Sequence, residues 1–210
     1  MTDRASPRIS SRKQPKQARS TELVDAVLDA ALQVLAAEGA HRFTTARVAE
    51  RAGVSVGSLY QYFPNKAAIL FRLQSDDCER TTRLLGSILE DGDRSPPDRL
   101  RALVHAFVRS ECEEADMRVA LADAAPLYRD APETAAAMAA ADRIIQAFMR
   151  ETLPHRSEDE RALAGDLITT AMSEVGKRFS ETARTEAEID AYAEGLADMV
   201  CAYLKAMSER

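Results

Sequence analysis

The chain has 210 residues, enough to bury a sizeable core, with no tryptophan and only 8 glycines and 8 prolines, a composition that favours helices. Its formal net charge of -6 argues against a polyanion-binding surface spread over the whole molecule, but residues 1–66 carry ten Lys/Arg against six Asp/Glu, a local +4. No apolar run approaches bilayer-spanning length, and the start MTDRASPRIS lacks the apolar stretch of a signal peptide, so no membrane partner is expected and a cytoplasmic location is.

Residues 1–19, rich in Arg, Lys, Ser, Gln and Pro without apolar periodicity, read as a flexible basic arm. Its Arg12, Lys13, Lys16 and Arg19 have the chemistry to touch phosphates or a minor groove, and equally that of a solubilising tail. A helix is predicted from Thr21 to Glu38, with an apolar stripe of Leu23, Val24, Val27, Leu28, Ala31, Val34 and Leu35 and with Gly39 closing it.

The stretch from Thr44 to Leu70 is the most informative. Thr44 and Thr45 offer caps to a two-turn helix whose apolar positions are Val48, Ala49 and Ala52, and Gly53 can take the left-handed conformation that reverses the chain. Ser55 is the natural N-cap of a second short helix running from Val56 to Phe63. Leu59 and Phe63, four residues apart, face inward. Val56, Gly57, Ser58, Gln61 and Tyr62 are left outward, a small and polar surface suited to base edges in a major groove. Gln61 can pair bidentately with adenine, Val56 can touch a thymine methyl and Gly57 permits close backbone approach. Two of these positions have another use open to them: Tyr62 could pack against the first helix, and Gln61 could simply be solvated.

Taken in order and spacing, Phe43-Thr44-Thr45, Val48-Ala49, Ala52-Gly53-Val54-Ser55, Gly57-Ser58-Leu59-Tyr60, Tyr62-Phe63 and Asn65-Lys66 resemble the TetR/AcrR one-component transcriptional regulators. The resemblance covers the first third of the chain and departs only around Thr45-Ala46-Arg47, where that family often carries an apolar residue. It implies that Thr45, Tyr60 and Lys66 grip DNA phosphates, tasks suited to hydroxyls, an ammonium and a helix N-terminus.

After Pro64, Asn65 should cap a long helix ending near Gly92 and carrying Ile69, Leu70, Leu73, Leu84, Leu85, Ile88 and Leu89. Ser95-Pro96-Pro97-Asp98 opens another, with Leu100, Leu103, Val104, Phe107 and Val108 on its apolar face. A shorter segment, Met117 to Ala125, precedes the breaks at Pro126 and Pro132, and a helix is expected from Glu133 to Leu153. Ser157–Glu160 and Thr185–Glu188 both match the capping box, and each opens a long amphipathic helix.

The fold class is therefore all-α: a three-helix head with a helix-turn-helix over residues 20–66 and a larger helical body over 67–210. By the same resemblance, the last two helices pair with their copies in a homodimer, through Leu163, Leu167, Met172, Val175, Ile189, Tyr192, Leu196, Met199 and Tyr203, unless these stripes are spent within their own core. A two-fold dimer implies a palindromic operator on double-stranded DNA. The resemblance also implies a small-molecule effector, apolar or amphipathic, in the body. Phe107, Met117, Leu121, Tyr128, Met138, Phe148, Met172 and Phe179 are its candidate lining, although ordinary core has the same composition.

No cofactor or metal is expected: His105 and Cys112 share a helical face at seven-residue spacing but lack matched partners. The three cysteines, Cys78, Cys112 and Cys201, form no C-x-x-C pair and read as free thiols. His41, His105 and His155 make no constellation with a nucleophile, and neither a phosphate loop nor an HExxH element is present, so an enzyme is not indicated. A helical small-molecule-binding or adaptor protein with a vestigial head is the alternative reading.

Overall fold

The computed structural model describes residues 18–115, 117–118, 121 and 132–209, with the side chains of residues 18, 19, 40 and 132–138 left aside. Among the described residues there are eight helices and no strand: α1 (Ala18–Arg42), α2 (Thr45–Arg51), α3 (Val56–Tyr62), α4 (Lys66–Leu89), α5 (Pro96–Glu113), α6 (Pro132–Thr152), α7 (Glu158–Phe179) and α8 (Glu186–Glu209). None of them is long and apolar enough to cross a membrane. Backbone contacts divide the chain into two compact units, one of Met1–Cys78 with Asp116–Ala136 and one of Glu79–Ala115 with Ala137–Arg210.

The first unit is built on the α1 stripe. Val24, Val27, Leu28, Ala31, Val34 and Leu35 are buried, as 3.6-residue spacing requires, and Gly39 at φ 71 interrupts the helical backbone. The helix starts at Ala18, three residues before the position that apolar periodicity marks. Against this stripe pack Phe43, Val48, Ala49, Leu59 and Phe63, together with Ala67, Ala68, Ile69, Leu70 and Leu73 of α4. The unit thus runs past Lys66, because the first turns of α4 supply part of its core.

In the second unit, α5 lies against both α7 and α8. Leu100, Leu103, Val104 and Val108 of α5 share a core with Ile168, Met172 and Phe179 of α7 and with Ile189, Leu196, Val200 and Leu204 of α8. Gly176 lets α7 come close to α5, since a β-carbon there would meet the Phe107 ring at 2.8 Å. Along the rim of the α5–α8 contact, Arg101 and Arg109, eight residues apart on one face, pair with Glu194 and Asp198 and with Glu186 and Asp190, the Asp198 bond being 2.6 Å and the Asp190 bond 2.7 Å. Arg99 is one of three buried charged residues among those described, with Asp77 and Glu111. Almost wholly buried, it donates to the Leu89 carbonyl at the end of α4 at 2.6 Å, pairs with Glu151 of α6 and lies 5.4 Å from the Phe148 ring centre. These partners offset part of the cost of burying a guanidinium, whose Nε is buried without a hydrogen-bond partner.

The helix starts follow the caps. Ser95 accepts from the Asp98 amide with Pro96 at the first helical position; the Ser157 and Thr185 hydroxyls accept the Glu160 and Glu188 amides at 3.2 and 3.3 Å, and those carboxylates accept the Ser157 and Thr185 amides at 2.9 and 2.8 Å. Those hydrogen bonds from the cap residues hold the Glu160 and Glu188 carboxyls below the usual glutamate range.

Candidate nucleic-acid interface

The geometry of the first unit is set by short-range capping. Thr44, extended at φ -134, accepts the Arg47 amide at 3.3 Å and starts α2. Gly53, at φ 67, makes the left-handed turn that a β-branched or bulky residue would resist. Ser55 then accepts the Ser58 amide at 3.0 Å and starts α3, and Asn65 accepts the Ala68 amide at 2.9 Å and starts α4. Leu59 and Phe63 are fully buried and anchor α3 from below, Phe63 as its C-cap and not as its last helical residue.

What α3 leaves outside is the surface that alternation with Leu59 and Phe63 dictates. Val56, Gly57, Tyr60 and Gln61 are exposed, Val56 with 39% of its surface in water, and Ser58 is half-buried. Tyr62 differs from the rest: it is half-buried and packs against the unit's core, so its ring is largely engaged below the surface. Thr45 and Tyr60, fifteen residues apart in sequence, come together across the turn with their hydroxyls 3.1 Å apart, and Lys66 is exposed at the first position of α4. Arg12, Lys13 and Lys16 lie outside the described residues, and Arg19 falls in the first turn of α1.

Two cations that a charge tally counts toward phosphate binding have another employment. Arg47 pairs with Glu38, and Arg51 donates to the Gln33 side chain at 2.7 Å, so both brace α2 against α1. They stand four residues apart on one helical face, beside a surface cleft of about 520 Å³ lined by Gln33, Val34, Ala37, Glu38, Arg47, Glu50 and Arg51. That i,i+4 spacing was the signal available in the sequence.

The candidate effector residues divide between the two units. Leu121 is buried in the first unit's core with Met117 packed on it, whereas Phe148, Met172 and Phe179 are buried in the second unit's core and Phe107 packs against that core. Tyr128 lies outside the described residues, as does the side chain of Met138. Burial between helices uses the same large apolar side chains that would line a pocket, which is why sequence grouped them.

The dimer candidates split by face. Leu163 and Leu167 on α7 and Met199 on α8 point outward, Leu163 and Met199 with 57% and 52% of their surface exposed, while Tyr192 on α8 is exposed on one side and stacks its ring on Phe179 with centroids 3.8 Å apart. Met172, Ile189 and Leu196 are instead buried in their own protomer's core, and Val175 and Tyr203 are half-buried against it. The stripes are wide enough to serve two sides, and these five positions lie on the inner one.

His105 is bound to a carboxylate: its Nε2 sits 2.8 Å from Glu194. Among the described residues no three His, Cys, Asp or Glu side chains are grouped to hold a metal ion. Burial pushes the Cys112 and Cys201 thiols up, away from the reactive thiolate.

With this geometry in place, comparison with known proteins is decisive. The model of the tetracyclin repressor-like C-terminal domain matches residues 95–207, and that of the bacterial regulatory proteins of the tetR family matches residues 27–73. The chain belongs to the TetR family. Over 91 residues, this TetR-family chain is 34% identical to the nucleoid occlusion factor SlmA of Vibrio campbellii, covering 43% of this chain and 46% of that protein. It is 35% identical over 114 residues to the HTH-type transcriptional regulator BetI of Klebsiella pneumoniae, covering 50% of this chain and 52% of the other. The chain therefore spans about half the length of these curated relatives. A crystal structure of a TetR-family regulator from Mesorhizobium loti superposes with a TM-score of 0.68 at 15% identity, covering 89% of this chain and 98% of that one, and so has the same fold.

Proposed function

We propose that this TetR-family protein is an effector-responsive DNA-binding transcriptional regulator, a repressor that binds a palindromic operator as a homodimer. The observation that carries the reading is the outward face of α3. A seven-residue helix, capped by Ser55 and pinned from below by Leu59 and Phe63, presents Val56, Gly57, Ser58 and Gln61 as its free surface. In this reading that face enters the major groove, where Gln61 addresses adenine and Val56 a thymine methyl. Tyr62, mostly committed to the core, contributes at its rim. Thr45, Tyr60 and Lys66 fix register on the phosphates, and the basic arm with Arg12, Lys13, Lys16 and Arg19 adds contacts beyond the groove.

The exposed residues Leu163, Leu167, Tyr192 and Met199 are the natural dimer surface, because two of them keep more than half of their apolar area in water. The effector, an apolar or amphipathic molecule, acts in the body by favouring one of two states, near Phe107, Phe148, Met172 and Phe179, where the methionine offers an adaptable wall. The protein works in the cytoplasm, beside its operator.

Mobility shift on the DNA flanking its own gene, repeated across a salt series, tests the reading. With Lys66 of each of two protomers neutralising one phosphate, log K should fall with log salt at a slope of about -2 from the head, made steeper by the arm cations that engage. A shift that is insensitive to salt, or no shift on any palindrome, overturns it.

A further inference from the structure

Resting on that reading of α3, we propose that Ser58 reads the operator as a hydrogen-bond donor, its direction fixed by Ser55. The Ser58 amide donates to Ser55 Oγ at 3.0 Å, and the two hydroxyl oxygens are 2.8 Å apart. One hydroxyl hydrogen lies between them, so the pair has one further hydrogen to give to the outside, and which residue gives it depends on the direction of the inner bond.

The N–H favours one direction over the other. If Ser58 donated inward, Ser55 Oγ would accept twice, from the amide and from the hydroxyl, and the two bonds would compete for its electron density. If Ser55 donates to Ser58, the bonds run head to tail, from Ser58 N–H to Ser55 Oγ–H to Ser58 Oγ–H, and each polarises the next. The second arrangement leaves the Ser58 hydrogen pointing away from the cap. A donor in the major groove finds acceptors on guanine, adenine N7 and thymine O4, whereas cytosine offers only its amino group. The N-cap thereby does two jobs: it starts the helix, and it assigns Ser58 a sign.

The test measures relative affinities for an operator in which each half-site position is varied through all four bases, for the wild-type protein, Ser58→Ala and Ser55→Asp. Aspartate caps a helix as well as serine does, which circular dichroism and the melting temperature check, but it has no hydrogen to give, so Ser58 must donate inward and turn a lone pair outward. At one position the wild type should disfavour cytosine by about fivefold, the worth of one hydrogen bond. Ser58→Ala should level that preference and Ser55→Asp should turn it toward cytosine, whatever its general loss from added negative charge. As a check without any protein variant, a base analogue lacking the acceptor at that position should cost the wild type about the same fivefold. An unchanged preference in either variant, or an analogue bound as tightly as its parent base, overturns the donor assignment while leaving α3 as the reading helix. A wild type with no base preference at any position overturns the underlying reading itself.

Discussion

The two compact units spend their side chains differently. In the first, the core-facing stripe of α1 and of the first turns of α4 is buried, and what remains outside on α3 is a short, mostly polar run with Val56 and Tyr60 in it, held in place by uncharged caps, Thr44, Ser55 and Asn65. In the second, large apolar residues occupy both the core and the outer faces of α7 and α8, and charge is concentrated in ion pairs and carboxylate caps. A surface meant for DNA is defined by what is left out of a core. A surface meant for a protein partner or an apolar ligand resembles core, so sequence tells the two apart poorly.

The sharpest way to break that comparison is to remove what each unit buries. Leu59→Ala, beneath α3, should cost about 2–5 kcal/mol by urea denaturation and weaken operator binding with it. Arg99→Ala should cost about 2–4 kcal/mol in the same measurement, since it strands the Leu89 carbonyl and empties space beside Phe148. A neutral Arg99→Ala would mean that the buried guanidinium is idle. Next come substitutions on the outer faces: Leu163→Asp with Met199→Asp should leave circular dichroism unchanged, remove the concentration dependence of the melting temperature and convert a dimer to a monomer by light scattering, whereas Leu196→Asp should unfold the second unit. Equal behaviour of the inner and outer positions would erase the distinction between them.

Much of the fold was legible because punctuation was local. Gly53, Ser55, Asn65, the Ser95-Pro96 pair and both capping boxes are side-chain answers to unpaired helix-end amides, and they stand where the helices begin or turn. The start of α1 was missed by three residues, because Ala18 and Arg19 suit a helix without adding to an apolar stripe. On α3 the inward pair Leu59 and Phe63 was readable from spacing, but the half-burial of Tyr62 was not, as a tyrosine at a helix end can turn either way. Arg99 gave no sign at all: beside Arg101 and Arg109 in the same amphipathic helix it looks like surface until the carbonyl and carboxylate it joins are known. The same holds for Met172, Ile189 and Leu196, whose side of a wide stripe is decided by α5.

Smaller effects refine the comparison further. Gln61→Ala should leave stability unchanged within error and relax discrimination at one base pair by about 1–3 kcal/mol in competition binding. Lys66→Ala should weaken all sequences alike and make the salt slope shallower by about one per protomer. The smallest effect is in acid. The folded-state pKa values of Glu160 and Glu188 lie below the unfolded ones, so their contribution is complete above the ordinary glutamate range and fades as pH falls through the lowered values. Glu160→Gln with Glu188→Gln should therefore flatten part of the fall in the urea midpoint of the second unit between about pH 6 and about pH 3. An unaltered pH profile would show that the boxes contribute nothing.

The central claim is that the outward face of α3 reads base sequence while the hydroxyls and ammonium around it hold the backbone. Competition binding of Gln61→Ala and Lys66→Ala against a panel of single-base operator variants, at two salt concentrations, tests it most directly. The expected result is a clean exchange: Gln61→Ala changes the ranking of operators and not the salt slope, and Lys66→Ala changes the slope and not the ranking. Rankings and slopes that move together in both variants, or in neither, would contradict it.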